Sequence, residues 1–144
     1  MRMLKSVLAS VMLCAAFAMP SMAQDTDAPN MIGAWTGKTY AVHIGSNPYR
    51  VAEGTGVQFP DNAIEFTYNI TEQHGKRFAG KSSGGKFSET IIGMLAPDNR
   101  TAVMLDDDGQ YMMTMVDPNT IDMCYYHLYP TSKVVSCWQL KRSP

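Results

Sequence analysis

Residues 64–71 read Ile-Glu-Phe-Thr-Tyr-Asn-Ile-Thr, and this strict alternation of apolar and polar side chains is what most constrains the fold. Successive side chains of a β-strand point to opposite faces, so Ile64, Phe66, Tyr68 and Ile70 share one face and Glu65, Thr67, Asn69 and Thr71 the other. One face is core and one is wet, as in an antiparallel sheet. From Met31 onward the same period recurs between Gly, Pro, Asn and Asp turn signals, and no window of ten or more residues holds a helical period. The spacing predicts strands near 31–44, 51–59, 63–73, 77–83, 86–96, 101–107, 110–117, 120–129 and 133–141. Eight or nine short strands in about 110 residues imply an all-β fold, an antiparallel up-and-down β-barrel of about eight strands, because closure removes both exposed edges. A β-sandwich is the alternative.

The N-terminus has a different character. Arg2 and Lys5 are followed by an uncharged apolar run from Val7 to Met19 and by Ser21-Met22-Ala23, the pattern of a secretory signal peptide over residues 1–23. The mature chain is expected to begin at Gln24, with a flexible lead-in over 24–30 and a single β-barrel domain over 31–144. A lipid anchor at Cys14 is disfavoured by the large Leu13 before it. Without Arg2 and Lys5, ten of the twelve Lys and Arg remain against thirteen Asp and Glu, a formal charge of −3. That argues against nucleic acid as a partner, which needs clustered cations. No later apolar stretch approaches the ~20 residues of a membrane-spanning helix, so a soluble periplasmic or secreted protein is expected.

Cys14 leaves with the leader. Cys124 and Cys137 remain, a pair bound for an oxidising compartment, and a disulfide is expected between them. The rival, metal binding by Cys124 with His127, offers fewer ligands than a stable site needs. If Cys124 faces Cys137 across a hairpin, Met123 lies opposite Trp138. Ile121, Met123, Tyr125, His127, Val134, Trp138 and Leu140 then share the core face, with the disulfide on the outside.

Ile91-Ile92-Gly93-Met94-Leu95 and Ala102-Val103-Met104-Leu105 are apolar on both faces. A strand apolar on both sides has its outer face covered. Either a homo-oligomer or another partner docks on strands near 91–95 and 101–105, or a loop or the lead-in shields them.

Gly33-Ala34-Trp35-Thr36-Gly37 on the first strand, with the terminal Trp138-Gln139-Leu140-Lys141-Arg142, resembles the lipocalin and avidin-like barrels of the calycin group. The resemblance implies that Gly33 and Trp35 plug one barrel end and that a cation of the last strand, Lys141 or Arg142, packs over the indole. His74-Gly75-Lys76-Arg77-Phe78-Ala79-Gly80 looks like an avidin-type Gly-x-Phe-x-Gly strand entry, one hairpin late. Of the positions two, four and six residues after Trp35, only Thr39 is polar, and the mature chain holds only Trp35 and Trp138. Those departures argue against biotin.

The candidate chemistry is sparse. His74 adjoins a turn and reads as a solvated loop residue. His127 falls on the core face between Tyr125 and Tyr129, hydrogen-bonded to a tyrosine or to backbone, or else touching a ligand. His43 falls on the Trp35 face and points to the barrel mouth if the first strand is regular. The methionines read as core filler; a copper site would need Met113, Met115 or Met123 to converge with His127. Asp106-Asp107-Asp108-Gly109 lacks the ligand spacing of a calcium loop and reads as an acidic turn. Ser82-Ser83-Gly84-Gly85-Lys86 lacks the spacing of a phosphate loop. Nothing marks an activated nucleophile, so neither an enzyme nor a cofactor is expected.

The expected function is therefore binding of a small apolar or aromatic molecule in the barrel mouth, with Thr39, His43, Phe66, Tyr68, Phe87, Tyr125, His127 and Trp138 as the lining. The alternative is an interaction module or enzyme inhibitor with an envelope or secreted protein as partner. The inhibitor form follows from the family resemblance, in which some barrels insert an N-terminal segment like 24–30. Copper handling ranks third.

Overall fold

The computed structural model describes residues 27–144. The leader expected over 1–23 and the first part of the lead-in lie outside the described residues. Nine strands and no helix are formed among those described: β1 (Gly33–Thr39), β2 (Val42–Ile44), β3 (Ile64–His74), β4 (Arg77–Gly84), β5 (Phe87–Leu95), β6 (Thr101–Leu105), β7 (Gln110–Asp117), β8 (Thr120–Leu128) and β9 (Lys133–Arg142).

They make one antiparallel sheet in the order β1-β3-β4-β5-β6-β7-β8-β9-β2, and β1 also pairs with β9. That pairing, Trp35 with Arg142 and Thr36 with Lys141, closes an eight-stranded barrel. β2 is the extra strand. It pairs with β9 through Val42–Val135, His43–Val134 and Ile44–Lys133, and the paired residue numbers add to the same total as in β1. The two are thus halves of one strand whose ladder is interrupted around Tyr40 without gain or loss of a residue. At the break, the Thr39 hydroxyl donates to the Tyr40 carbonyl at 2.9 Å and the Ser136 hydroxyl to the same oxygen at 2.6 Å. Side chains there satisfy a backbone group that the ladder leaves unpaired.

The strand expected over 51–59 does not form. Residues 45–63 are a loop carrying only the isolated bridges His43–Gln58 and Asn47–Arg50. The free edge beside it, that of β2, is three residues long and takes a single bridge from Gln58, too little for a ladder. Gly54, at φ +105°, breaks an extended run as well.

The barrel interior is filled at one end. Met31, Trp35, Ile91, Leu95, Met104, Ile121, Met123 and Leu140 are all nearly inaccessible to water. An eight-stranded barrel is just wide enough for side chains to fill it, and here large residues from every wall meet at this end. Residues 27–31 cross it. Gln73 donates to the Pro29 carbonyl at 2.9 Å and accepts from the Met31 amide at 2.7 Å, while Asn99 reaches the Asp27 carbonyl at 3.3 Å.

Arg142 completes the closure. Its guanidinium lies 4.0 Å from the centroid of the Trp35 ring and donates to the carbonyls of Ile32 at 2.5 Å and Asn30 at 2.6 Å. Lys141 turns away and donates to Thr120 at 2.7 Å. Gly33 adopts φ +125°, and a Cβ there would stand 3.1 Å from the Arg142 guanidinium.

The last hairpin adopts the register that bridging requires: Cys124 pairs with Cys137 and Met123 with Trp138. The disulfide is formed on the outer face, as Cys137 is exposed while Met123 is buried. A disulfide is compatible with an oxidising extracellular compartment.

Candidate functional site

The opposite end of the barrel is built differently. Inward positions of β3, β7, β8 and β9 carry Phe66, Tyr68, Tyr111, Tyr125, His127 and Trp138 around a narrow cavity of about 50 Å³. A single water needs roughly 10–15 Å³ measured in this way, so the cavity has room for a few waters or one small group. Thr39, Ala41, Ile64, Val134 and Ser136 complete the wall, and Asp106 and Asp108 reach it from the β6–β7 turn.

The 45–63 loop covers the mouth. Its turn is held by the Asn47 carboxamide oxygen, which accepts from the amides of Tyr49 and Arg50, each at 3.0 Å. Arg50, buried, donates to the Asn62 side chain and carbonyl, both at 2.9 Å. This places the Tyr49 ring edge-on against Phe66 at 5.0 Å and Phe87 at 5.3 Å.

Three carboxylates gather beside the rings. One oxygen from each of Glu89, Asp106 and Asp108 lies within 4.8 Å of the others, and each carboxylate accepts from a different tyrosine. The bonds are Tyr49 to Glu89 at 3.0 Å, Tyr111 to Asp106 at 2.5 Å and Tyr125 to Asp108 at 2.7 Å. Burial, reinforced by these acids, pushes all three phenols up, so they are neutral donors. Burial also raises Glu89, against the hydrogen bond from Tyr49, with Asp106 and Asp108 adding to the rise. Asp106 has a second duty in its own turn: it accepts from the Gly109 amide at 2.6 Å. Three oxygens are too few to enclose Ca²⁺, which takes six to eight. With about four acceptor positions per carboxylate, the cluster nevertheless keeps capacity for a further donor.

His127 is tied into the same network. Its Nδ1 is 3.0 Å from the Tyr125 hydroxyl and its Nε2 2.7 Å from the Ser132 hydroxyl. Since Tyr125 spends its proton on Asp108, His127 donates from Nδ1 to the phenol oxygen and accepts at Nε2 from Ser132. Tyr125 rests on Gly109, where a Cβ would come within 2.5 Å of its hydroxyl, so only glycine leaves room for the ring at this height. The Trp138 ring also lines the cavity, and its buried indole N–H has no acceptor among the described residues.

Of the eight lining residues expected from the sequence, Thr39, Phe66, Tyr68, Tyr125, His127 and Trp138 border this one cavity. Phe87 touches only its lid, through Tyr49. His43 does not reach it. The imidazole is buried beneath the 45–63 loop, with Nδ1 3.0 Å from the Gly45 carbonyl, and the backbone of His43 is bridged to Gln58 of that loop. The methionines do not converge on His127 either: Met123, the nearest in sequence on β8, lies about 13 Å back along the strand in the filled end. His74 is exposed and pairs with Glu72 at 2.8 Å.

Sequence reasoning missed Tyr49, Glu89, Asp106, Asp108 and Tyr111. Glu89 was legible, since alternation with Phe87 and Ile91 puts a carboxylate on the core face. Tyr49 was not, because it enters from a loop. Searches against protein-family models, characterised proteins and solved structures returned no match to this chain.

Proposed function

We propose that this chain is an exported, non-enzymatic barrel of the lipocalin or avidin-like type that binds a small, partly apolar molecule at its mouth, in the periplasm or outside the cell. The observation that carries the reading is the combination of aromatic walls and a polar floor in one cavity. Tyr68, Tyr111, Tyr125 and Trp138 supply apolar faces, while Asp106, Asp108 and the unpartnered Trp138 N–H supply polar contacts. Ligand sites combine mostly apolar walls with a few placed polar groups in this way.

At about 50 Å³ the cavity suits a molecule of a few heavy atoms with a hydrogen-bond-donating group. Larger ligands, whose pockets run to roughly 300–1,000 Å³, require Tyr49 to leave Phe66 and Phe87. The 45–63 loop is therefore the lid.

Native mass spectrometry of the oxidised protein, purified from the exported fraction of expressing cells, tests the reading. Expected are a chain that begins at Gln24 and a reproducible extra mass that is lost in Tyr111→Phe/Trp138→Phe. A bare wild-type mass, together with no change in tryptophan fluorescence on titration with indole, phenol or benzylamine, would overturn it.

A second reading, an interaction module or enzyme inhibitor acting through its surface, is favoured by the lid itself, which leaves Val51, Val57 and Phe59 exposed.

A further inference from the structure

The outer wall of β5, β6 and β7 carries a contiguous run of exposed apolar side chains. Cross-strand pairing aligns Met94, Val103 and Met112 in one row. The next row holds Ile92 beside Leu105. These five side chains are between 48 and 60 % exposed, and no described segment covers them. Residues 27–31 do not shield them and cross the Trp35 end instead. From Ser88 to Thr114, no outward position of the three strands carries a charge. Exposed Arg77 and Lys81 on β4, the strand beside β5, border the patch, Arg77 pairing with Met94 and Lys81 with Thr90, while the far wall carries exposed Lys38 on β1 and Glu65 on β3.

We infer that this face is the contact between two copies of the chain, related by a two-fold axis passing near Val103. Two features select a second copy as the occupant. The first is symmetry: the row reads Met-Val-Met in both directions, so a rotation about Val103 sets Met94 of one copy against Met112 of the other. A two-fold interface requires this kind of self-complementarity, and a face without charges meets its own image without repulsion. The second is size. The five side chains leave on the order of 400 Å² of apolar area in water. A standard interface takes about 800 Å² from each partner, a little over half of it apolar. Thr90, Gln110 and Thr114 around the rows supply the polar rim. Docking sheet to sheet here leaves both barrel mouths open, so the inference stands apart from any ligand.

Sedimentation of the oxidised protein from about 1 to about 100 µM, the range of weak to moderate dimers, tests it. The wild type is expected at twice the chain mass, and Val103→Glu, which sets two carboxylates face to face at the axis, at the single mass with an unchanged circular dichroism spectrum. Val103→Cys is expected to link covalently to its own copy through a short bis-maleimide, whereas Lys38→Cys on β1, across the barrel from β6, is not; this readout holds even if Val103→Glu fails to fold. A wild type that stays monomeric at the highest concentration overturns the inference. So does a dimer that survives Val103→Glu, or one that cross-links through position 38 and not 103.

Discussion

Arg142 lies 4.0 Å above the Trp35 ring and holds the carbonyls of Ile32 and Asn30 with the same guanidinium. The contact joins the last strand to the first where they form the barrel seam, and the Trp35 indole donates to the Met31 carbonyl at 2.9 Å. Trp35→Ala removes the largest side chain of the filled end and is expected to cost about 3–5 kcal/mol. Arg142→Ala is expected to cost less, about 1–3 kcal/mol, from the lost cation–π contact and the two charge-assisted hydrogen bonds. Urea denaturation measures both; a Trp35→Ala midpoint equal to wild type would remove the barrel-seam role.

The Cys124–Cys137 disulfide closes a loop with a sequence separation of 13. In the chain-entropy model a loop of this size contributes about 3 kcal/mol. Cys124→Ser and reduced wild type should therefore unfold at a similarly lowered denaturant concentration. Equal midpoints with and without reductant would contradict a stabilising bridge.

Glu89 makes stability depend on pH in a direction opposite to a salt-bridged carboxylate. Burial raises its folded value above the ordinary 4.5, so the folded state binds the proton more tightly than the unfolded one. Stability from this residue falls as pH rises through the interval between the two values and stays reduced above it. Glu89→Gln keeps an acceptor for Tyr49 and removes the charge. It is expected to be more stable than wild type at pH 7, with the difference vanishing below about pH 4.5. Thermal midpoints at a series of pH values decide this, and a variant less stable at pH 7 than at pH 4 relative to wild type would refute it.

Tyr125 links Asp108 to His127, so Tyr125→Phe strands an acceptor at Asp108 and a donor at His127. The expected loss is about 1–3 kcal/mol, with a change in the His127 ring signals by NMR as its Nδ1 partner disappears. Unchanged imidazole shifts would show that the Tyr125–His127 bond does not form in solution.

Much of the architecture was legible in the chain. Alternation such as Ile64, Phe66, Tyr68 and Ile70 reports local geometry, since a strand with one wet face has no other way to arrange its side chains. The terminal hairpin register followed from one constraint, that Cys124 and Cys137 oppose each other, and it assigned Met123, Tyr125, His127 and Trp138 to the interior together. Turn residues marked nearly every strand end.

Tertiary structure decided what depends on closure. Whether Val51, Val57 and Phe59 form a strand is not a local matter. Once β1 pairs with β9 the edge left near them is that of three-residue β2, which Gln58 alone bridges, and they stay in a loop over the mouth. The same closure chose Arg142 over Lys141, because only the side chain on the inner side of the seam reaches Trp35. It brought Tyr49, Glu89, Asp106 and Tyr111, from a loop and three neighbouring strands and turns, to one end of the barrel, and it left His43 outside. Period and composition determine which face a side chain takes; which side chains meet depends on strand tilt and loop path, and those are set by the whole barrel at once.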